Sequence, residues 1–310
     1  MKKLPLGQIC DFELKQLKIF KAVTDCGGFS AAENELNISR PTISNHIATL
    51  ESRLNLVLCK RGRGGFTLTK EGEVVYEQTC KLLEQLEQAG NIINNLGERP
   101  AGKLRIAISD TFSTDLRCKL PEIYRKYYQQ APDVELLISV EHMTITEQKV
   151  LNNQLDVAMI PYHHRLEGLN YIHLFTDDTY VYCGNQHALF DMEDLNISDK
   201  MINESKLIHA GLDPHDEVYS QLSQMNPSGS SYFYESRIAL LLSGCFIAFL
   251  PEEVAKPYVE KGLLKPIAKD RRNFRLGVAV ISKKTIQQNR ARDLFLDVIK
   301  KIHMESEAPY

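Results

Sequence analysis

Apolar residues three and four apart recur through the first hundred positions, and they mark out helices before anything else is read. Asp11 to Asp25 places Leu14, Leu17, Phe20 and Val23 on one face and stops at Gly27-Gly28, which predicts a first helix. Ser30 followed three residues later by Glu33 is the pattern of a capping box, so a second helix is expected from about Ala31 to Leu36, with Asn37 suited to the turn behind it. Ser39 predicts the cap of a third helix, where Pro41 falls in the first turn and sacrifices no intrahelical hydrogen bond. In that helix Ile43, Ile47, Leu50 and Leu54 form one stripe, which turns Pro41, Asn45, Ala48 and Ser52 outward with Thr42, Ser44 and Thr49 beside them. The outward face is small, polar and almost uncharged, with Arg40 at its start. A solvated helix more often carries Lys and Glu, whereas this surface suits a helix entering a groove about 12 Å wide to reach base edges.

The pattern then changes. LVLCKRGRGGFTLT has short apolar ends around a Gly- and Arg-rich centre and predicts a two-stranded hairpin with a basic tip, in which Arg61 and Arg63 are placed for phosphate or minor-groove contact. From Thr69 to about Leu96, the residues Val75, Thr79, Leu82, Leu86, Ala89, Ile93 and Leu96 follow alternating steps of four and three. A helix of about 28 residues would extend roughly 42 Å, and so narrow a stripe favours a partner helix. Gly97-Glu98-Arg99-Pro100-Ala101-Gly102 has the composition of a hinge. From Lys103 onward apolar strands (LRIAIS, VELLISVE, LDVAMI, TYVYCG, KLIHAG, FIAFLP, LGVAVIS) alternate with amphipathic helices over Leu116–Gln130, Thr146–Asn153 and Ile286–His303. This predicts a parallel sheet with helices on its faces.

Leu17, Phe20 and Val23, then Gly28-Phe29-Ser30-Ala31-Ala32, Leu36, Ser39, Pro41, Ser44, Ile47, Leu50-Glu51, Leu54, Leu58, Arg61, Leu68-Thr69 and Gly72 resemble the amino-terminal winged helix-turn-helix of LysR-type transcriptional regulators over about sixty residues in register. Asn55 stands where that family usually has Gly, and Cys59 where it usually has Phe; Asn tolerates the left-handed conformation and Cys is a small apolar filler. A looser likeness continues through Leu155-Asp156, His187-Ala188-Leu189, Ser243-Gly244, Pro251 and Gly262-Leu263-Leu264. The resemblance implies an α + α/β protein in three parts: a winged helix-turn-helix over residues 11–70, a dimerising linker helix and hinge over 71–102, and over 103–304 an effector domain of two α/β lobes like periplasmic binding proteins. It also implies a homodimer or homotetramer and a small molecule held between the lobes.

Charge supports this division. The 310 residues carry a net charge of −3, but residues 1–70 hold eleven Lys and Arg against six Asp and Glu, +5, which leaves −8 for the remainder. The basic excess lies with the groove-reading helix, where phosphate neutralisation needs it. Hydrophobic content of 43% and charged content of 25% are those of a globular protein; no apolar run is long enough to span a bilayer and no secretory h-region is present, so a cytoplasmic location is expected.

Ligands of open α/β sheets lie at the carboxyl ends of strands, which nominates Ser109, Thr111, Thr144, His163 and Leu212 for effector binding, with the alternative that the hydroxyls only cap helices. Asp110 argues against a simple anion unless it points away. His163-His164 and His142 lack a second spaced ligand pair, so no metal is expected, and no cofactor or catalytic motif is found. Seven scattered cysteines contain no CxxC pair, and Cys183 and Cys245 fall in apolar strand contexts where thiols are inert. The expected function is sequence-specific transcription regulation by double-stranded DNA binding at Ser39, Arg40, Pro41, Thr42, Ser44, Asn45, Thr49, Arg61 and Arg63, under effector control. Two rival readings remain: a small-molecule binding protein whose head makes protein contacts, and a DNA binder whose lobes serve oligomerisation alone.

Overall fold

A computed structural model describes residues 9–62, 65–94, 99–211, 216–285 and 289–304. The chain divides after Gly90 into two units.

The first unit is built from α1 (Asp11–Asp25), α2 (Phe29–Leu36), α3 (Arg40–Leu54), the antiparallel pair β1 (Cys59–Gly62) and β2 (Gly65–Leu68), and α4 (Lys70–Asn94), whose last residues belong to the second unit. Its core joins Phe20 and Val23 of α1, Ala32 of α2, and Ile43, Ile47 and Leu50 of α3, with Leu58 and Cys59 below and Val75, Tyr76 and Leu82 of α4 packed against them. The apolar stripe foreseen on the third helix is therefore what folds the head. Asn37 and Asn55 both sit in the left-handed region, φ 52° and 53°, ending α2 and α3 where a glycine would be the ordinary choice. Cys59 fills the space under the hairpin as a buried apolar group.

The expected capping box at Ser30 is not formed. Helix α2 starts two residues earlier than that pattern predicts, at Phe29 behind Gly28, because Phe29 is drawn into the core, where its ring meets Phe66 edge-on at 5.9 Å. Glu33 instead accepts from the backbone N–H of Arg40 at 2.5 Å, so its carboxylate ties the first helix of the pair to the start of the second.

The second unit contains β3 (Gly102–Ile108), α5 (Leu120–Gln130), β4 (Val134–Val140), α6 (Met143–Leu151), β5 (Val157–Tyr162), β6 (Leu169–Gly184), α7 (Asp199–Glu204), β7 (Lys206–His209), α8 (Asp216–Leu222), β8 (Asn226–Ser230), α9 (Tyr234–Leu242), β9 (Ile247–Pro251), α10 (Glu252–Val259), β10 (Leu264–Ile267), β11 (Asn273–Lys283) and α11 (Arg290–Met304). The strands run β4-β3-β5-β11-β6-β9-β7-β8, with β10 beside β6. The expected parallel pairing holds within each lobe, and antiparallel strands are added where the chain crosses between them. Pairing is parallel within β4-β3-β5 and within β9-β7-β8, but β11 is antiparallel to β5 and β6, and β6 to β9 and β10. The reason lies in β6 and β11, 16 and 11 residues long, which each pass from one lobe to the other and so cannot share the direction of both.

Each lobe has two cores, one on each face of its part of the sheet. In the first lobe Leu104, Ile106 and Val157 pack on Ile123, Tyr127 and Phe295, while Ala107, Ala158 and Ile160 pack on Met143 and Val150. In the second lobe Val181, Leu207 and Ile247 face Ile202 and Met225, and Tyr182, Ile208 and Ala248 face Ile238 and Leu241. Such two-sided burial explains why these strands read as nearly continuous apolar runs. The helix expected over Leu116–Gln130 is broken at Lys119, whose φ of 51° separates one 3-10 turn from α5. Helix α6 begins three residues before the expected Thr146, and α11 is described from Arg290.

Candidate nucleic-acid interface and ligand cavity

On α3 the residues facing away from the core form one exposed strip. Ile43 and Ile47 are completely buried and Leu50 nearly so, while Arg40, Pro41, Thr42, Asn45, Ala48 and Thr49 are exposed and Ser44 is half-buried. Ser39 occupies the cap position, but its hydroxyl pairs with that of Thr42 at 2.9 Å rather than with a backbone N–H. Thr49 donates to the carbonyl of Asn45 at 2.7 Å, so its proton is committed to the helix and its oxygen can only accept. The Asn45 amide is left at the centre of the strip with both donor and acceptor functions exposed. Glu51 accepts from the N–H groups of Leu58 at 2.7 Å and Cys59 at 3.3 Å, which fixes the hairpin against α3. Arg53 is turned to the back, paired with the buried Glu13. In the hairpin the backbone of Arg61 pairs with Phe66; the Arg61 side chain and the whole of Arg63 lie outside the described residues.

In the second unit a cavity of about 110 Å³ lies between the lobes. From the first lobe it receives Ser109 and Asp110 at the end of β3, Met143 at the start of α6, and Pro161, Tyr162 and His163 at the end of β5. The second lobe supplies His209 after β7, Tyr232, Tyr234 and Arg237 around the start of α9, and Phe249 of β9; Thr179, Phe274 and Leu276 come from the crossing strands. The loop that carries Ser109 and Asp110 is anchored to a crossing strand by Arg117, which bridges Asp115 at 2.6 Å and Asp177 at 2.5 Å and lies over Phe175.

Of the sequence-nominated ligand residues, Ser109 and His163 line this cavity. Thr111, with φ 70°, follows Asp110 without reaching the lining, and its hydroxyl is buried without a partner; Thr144 is exposed on the first turn of α6. Leu212 lies outside the described residues. Sequence reasoning passed over Arg237, Thr179 and the aromatic walls. A single arginine inside SRIALLL was the available signal for the first, since a charge in an apolar helical run is rarely buried without a task.

Hydrogen bonds cross between the lobes at two helix starts. The Asp110 carboxylate accepts from the N–H of Tyr234, the first residue of α9, and the Tyr232 hydroxyl accepts from the N–H of Met143, the first residue of α6, at 2.9 Å. His142 stacks on the Tyr232 ring at 3.7 Å. Burial pushes the Asp110 carboxyl above its ordinary value, against the opposing pull of the Tyr234 N–H and the Arg237 guanidinium. Burial also draws Arg237 below its ordinary value; its Nε and both terminal nitrogens donate to the carbonyls of Ser231, Tyr232 and Phe249. The hydroxyls of Ser109 and Thr179 are buried and make no hydrogen bond of ordinary geometry to the described residues. Unpaired buried hydroxyls on a cavity wall cost stability that a bound polar group would recover.

His163 and His164 contact each other at 2.7 Å, and among the described residues no group of three or more His, Cys, Asp or Glu is arranged to hold a metal. Cys183 is fully buried, its thiol pushed up to about 12 by burial. The expectation that Cys245 is a packing group in an apolar strand is corrected: it is exposed in the turn before β9, next to Gly244 with φ 73°.

A winged helix-turn-helix with an exposed small-polar reading helix, in one chain with a two-lobed body around a cavity, defines a DNA-binding regulator that carries a ligand-binding domain. Residues 14–73 match the family described as "Bacterial regulatory helix-turn-helix protein, lysR family", and residues 97–302 match "LysR substrate binding domain". Among relatives, the chain is 33% identical over 294 residues to the "HTH-type transcriptional activator BauR" of Pseudomonas aeruginosa, covering 95% of this chain and 96% of that one. It is 32% identical over 188 residues to the "HTH-type transcriptional regulator YtlI" of Bacillus subtilis, covering 60% and 59%. Among solved structures, full-length CbnR in complex with its target DNA superposes with a TM-score of 0.66 at 21% identity, covering 93% of this chain and 99% of that one. Full-length AphB of Vibrio cholerae gives 0.58 at 19%, covering 94% and 99%. The chain belongs to the LysR family: it is a LysR-type transcriptional regulator with a helix-turn-helix DNA-binding domain and an effector-binding domain.

Proposed function

We propose that α3 reads bases in the major groove through Asn45, with Ser44, Thr42 and Thr49 beside it. Ser39, Arg40 and Pro41 then lie at the phosphate edge, and Arg61 and Arg63 of the hairpin contact backbone and minor groove. The observation that carries this is the exposed Asn45 amide, centred on a strip free of Lys and Glu and fixed from behind by Ile43, Ile47 and Leu50. A helix with this surface gains little from solvent and fits a groove. The target DNA in the CbnR complex and the activator function in the BauR name are the precedents.

The cavity between the lobes is the effector site. Its unpaired Ser109 and Thr179 hydroxyls support that reading, and an effector acts by binding one arrangement of the regulator more tightly than another. The protein works in the cytoplasm as a homodimer or homotetramer joined through α4, and it catalyses no reaction. No described helix is long and apolar enough to cross a membrane.

Fluorescence anisotropy of the full chain on duplexes from its own upstream region, and on scrambled duplexes, tests the DNA function. Preference for the native duplex by at least a hundredfold, with total affinity falling steeply between 50 and 200 mM salt (about 10³-fold for six phosphate contacts), is the expected result. Absence of binding at low salt would overturn it in favour of a head that contacts protein.

A further inference from the structure

The chemical class of the effector is written in which charges of the cavity are already used. An acid and a base line it, Asp110 and Arg237, which face each other's charge across the cavity wall. Arg237 gives four of its five N–H groups to the carbonyls of Ser231, Tyr232 and Phe249, so it presents no two-pronged donor to a ligand acid. Helix starts are the other ready receptors for an anion, and at the two that open here the first N–H is already engaged, that of α6 by the Tyr232 hydroxyl and that of α9 by Asp110 itself. An incoming carboxylate would meet Asp110 with these leading donors already engaged.

An incoming ammonium group meets the reverse. The Asp110 carboxylate has lone pairs beyond those given to the start of α9, and next to it in the chain the buried Ser109 Oγ, which interacts with the Tyr232 hydroxyl, makes no hydrogen bond of ordinary geometry. Thr179 Oγ1 supplies a second unpaired hydroxyl. The walls are aromatic: Tyr162, Tyr232 and Tyr234, with Phe249 and Phe274 packed on each other at 5.0 Å. Ring faces attract a cation and repel an anion. An engineered cavity of about 150 Å³ holds benzene, so about 110 Å³ admits a molecule of roughly five non-hydrogen atoms.

Resting on the reading of the interlobe cavity as the effector site, we propose that it selects a small primary amine, whose ammonium group is held by Asp110 and Ser109 inside the aromatic walls. Thr179 receives a further N–H or a polar substituent of the same molecule.

The chain contains no tryptophan, so Phe274→Trp places one emitter on the cavity wall. The full-length reporter is titrated at pH 7.5, where an alkylamine is protonated, with n-butylamine, 1-butanol and butyrate, three probes of nearly equal size. Butylamine is expected to bind at least tenfold more tightly than either other probe, and Asp110→Asn on the reporter background is expected to abolish that preference while butanol binding persists, showing that the cavity remains formed. Butyrate binding as tightly as butylamine overturns the amine and leaves the cavity as a ligand site. A preference that survives Asp110→Asn overturns the role of the carboxylate. No response to any of the three overturns the proposal and the cavity reading together.

Discussion

Asn45 and Thr49 stand one turn apart on the exposed face of α3, and the bond between them separates their roles. Because Thr49 donates to the Asn45 carbonyl, its hydroxyl is folded back on the helix, whereas the Asn45 amide is not so constrained. A side-chain amide can pair in two places with adenine, worth about 1–3 kcal/mol of discrimination. Asn45→Ala is therefore expected to cut the ratio of specific to scrambled DNA affinity by about ten- to a hundredfold, and Thr49→Ala to change it by less than about threefold. Competition anisotropy on one native and one scrambled duplex measures both ratios; a larger loss at Thr49 than at Asn45 would mean that the reading centre lies further along the helix. At this scale the head was legible, because helical periodicity alone assigns each residue of α3 to a face. The cavity was legible only in part. Ser109 and His163 follow strand ends and could be nominated from local sequence, but Arg237 and Thr179 arrive there from an apolar helix and from a crossing strand, which only the tertiary fold brings together.

Elements report the same divide. Strands with both faces buried announced themselves as apolar runs, but β6 was visible only in its second half, TYVYCG. The stretch before it, LNYIHLFTDD, mixes apolar and polar residues and is mostly half-exposed, and its strand conformation comes from nine residues of pairing with β11 on the far side of the sequence. The antiparallel crossings were hidden for that reason. Helix α4 offers a test of an element's packing through two glycines. Gly72 passes so close to the hairpin that a β-carbon there would stand 1.9 Å from the carbonyl oxygen of Leu58, while one at Gly90 would meet nothing within 4 Å. In an open helix Gly→Ala stabilises by about 0.5–1 kcal/mol, so Gly90→Ala should raise the melting temperature slightly. Gly72→Ala must displace backbone, and is expected to lower the melting temperature of the head and weaken DNA binding by prying the hairpin from α3. Thermal unfolding of the two variants side by side checks this; equal behaviour would show that α4 does not press on the hairpin in solution.

For the whole molecule, the heptad stripe of α4 has two fates along its length. Val75 and Leu82 pack on the core of their own head, and Thr79 is buried with its hydroxyl turned back to the Val75 carbonyl. Further on, Leu86 is 46% and Ile93 66% exposed, and Ala89 between them is exposed as well. A single head thus uses the first half of the seam and leaves the second apolar half uncovered, which is the half a second copy of α4 would bury. Joining two heads makes the second half-site contact intramolecular, a gain of about 10²–10⁴ in affinity when the spacing matches. Leu86→Glu combined with Ile93→Glu should therefore yield monomers by analytical ultracentrifugation. The variant should bind a duplex with two half-sites at least a hundredfold more weakly than the parent chain, while its affinity for a single half-site stays within about threefold, since both substitutions are on α4 and leave the sequence of α3 unchanged. A variant that remains dimeric would move the interface off the second half of α4. One that becomes monomeric yet binds both duplexes like the parent would separate oligomerisation from DNA reading and leave the heads independent.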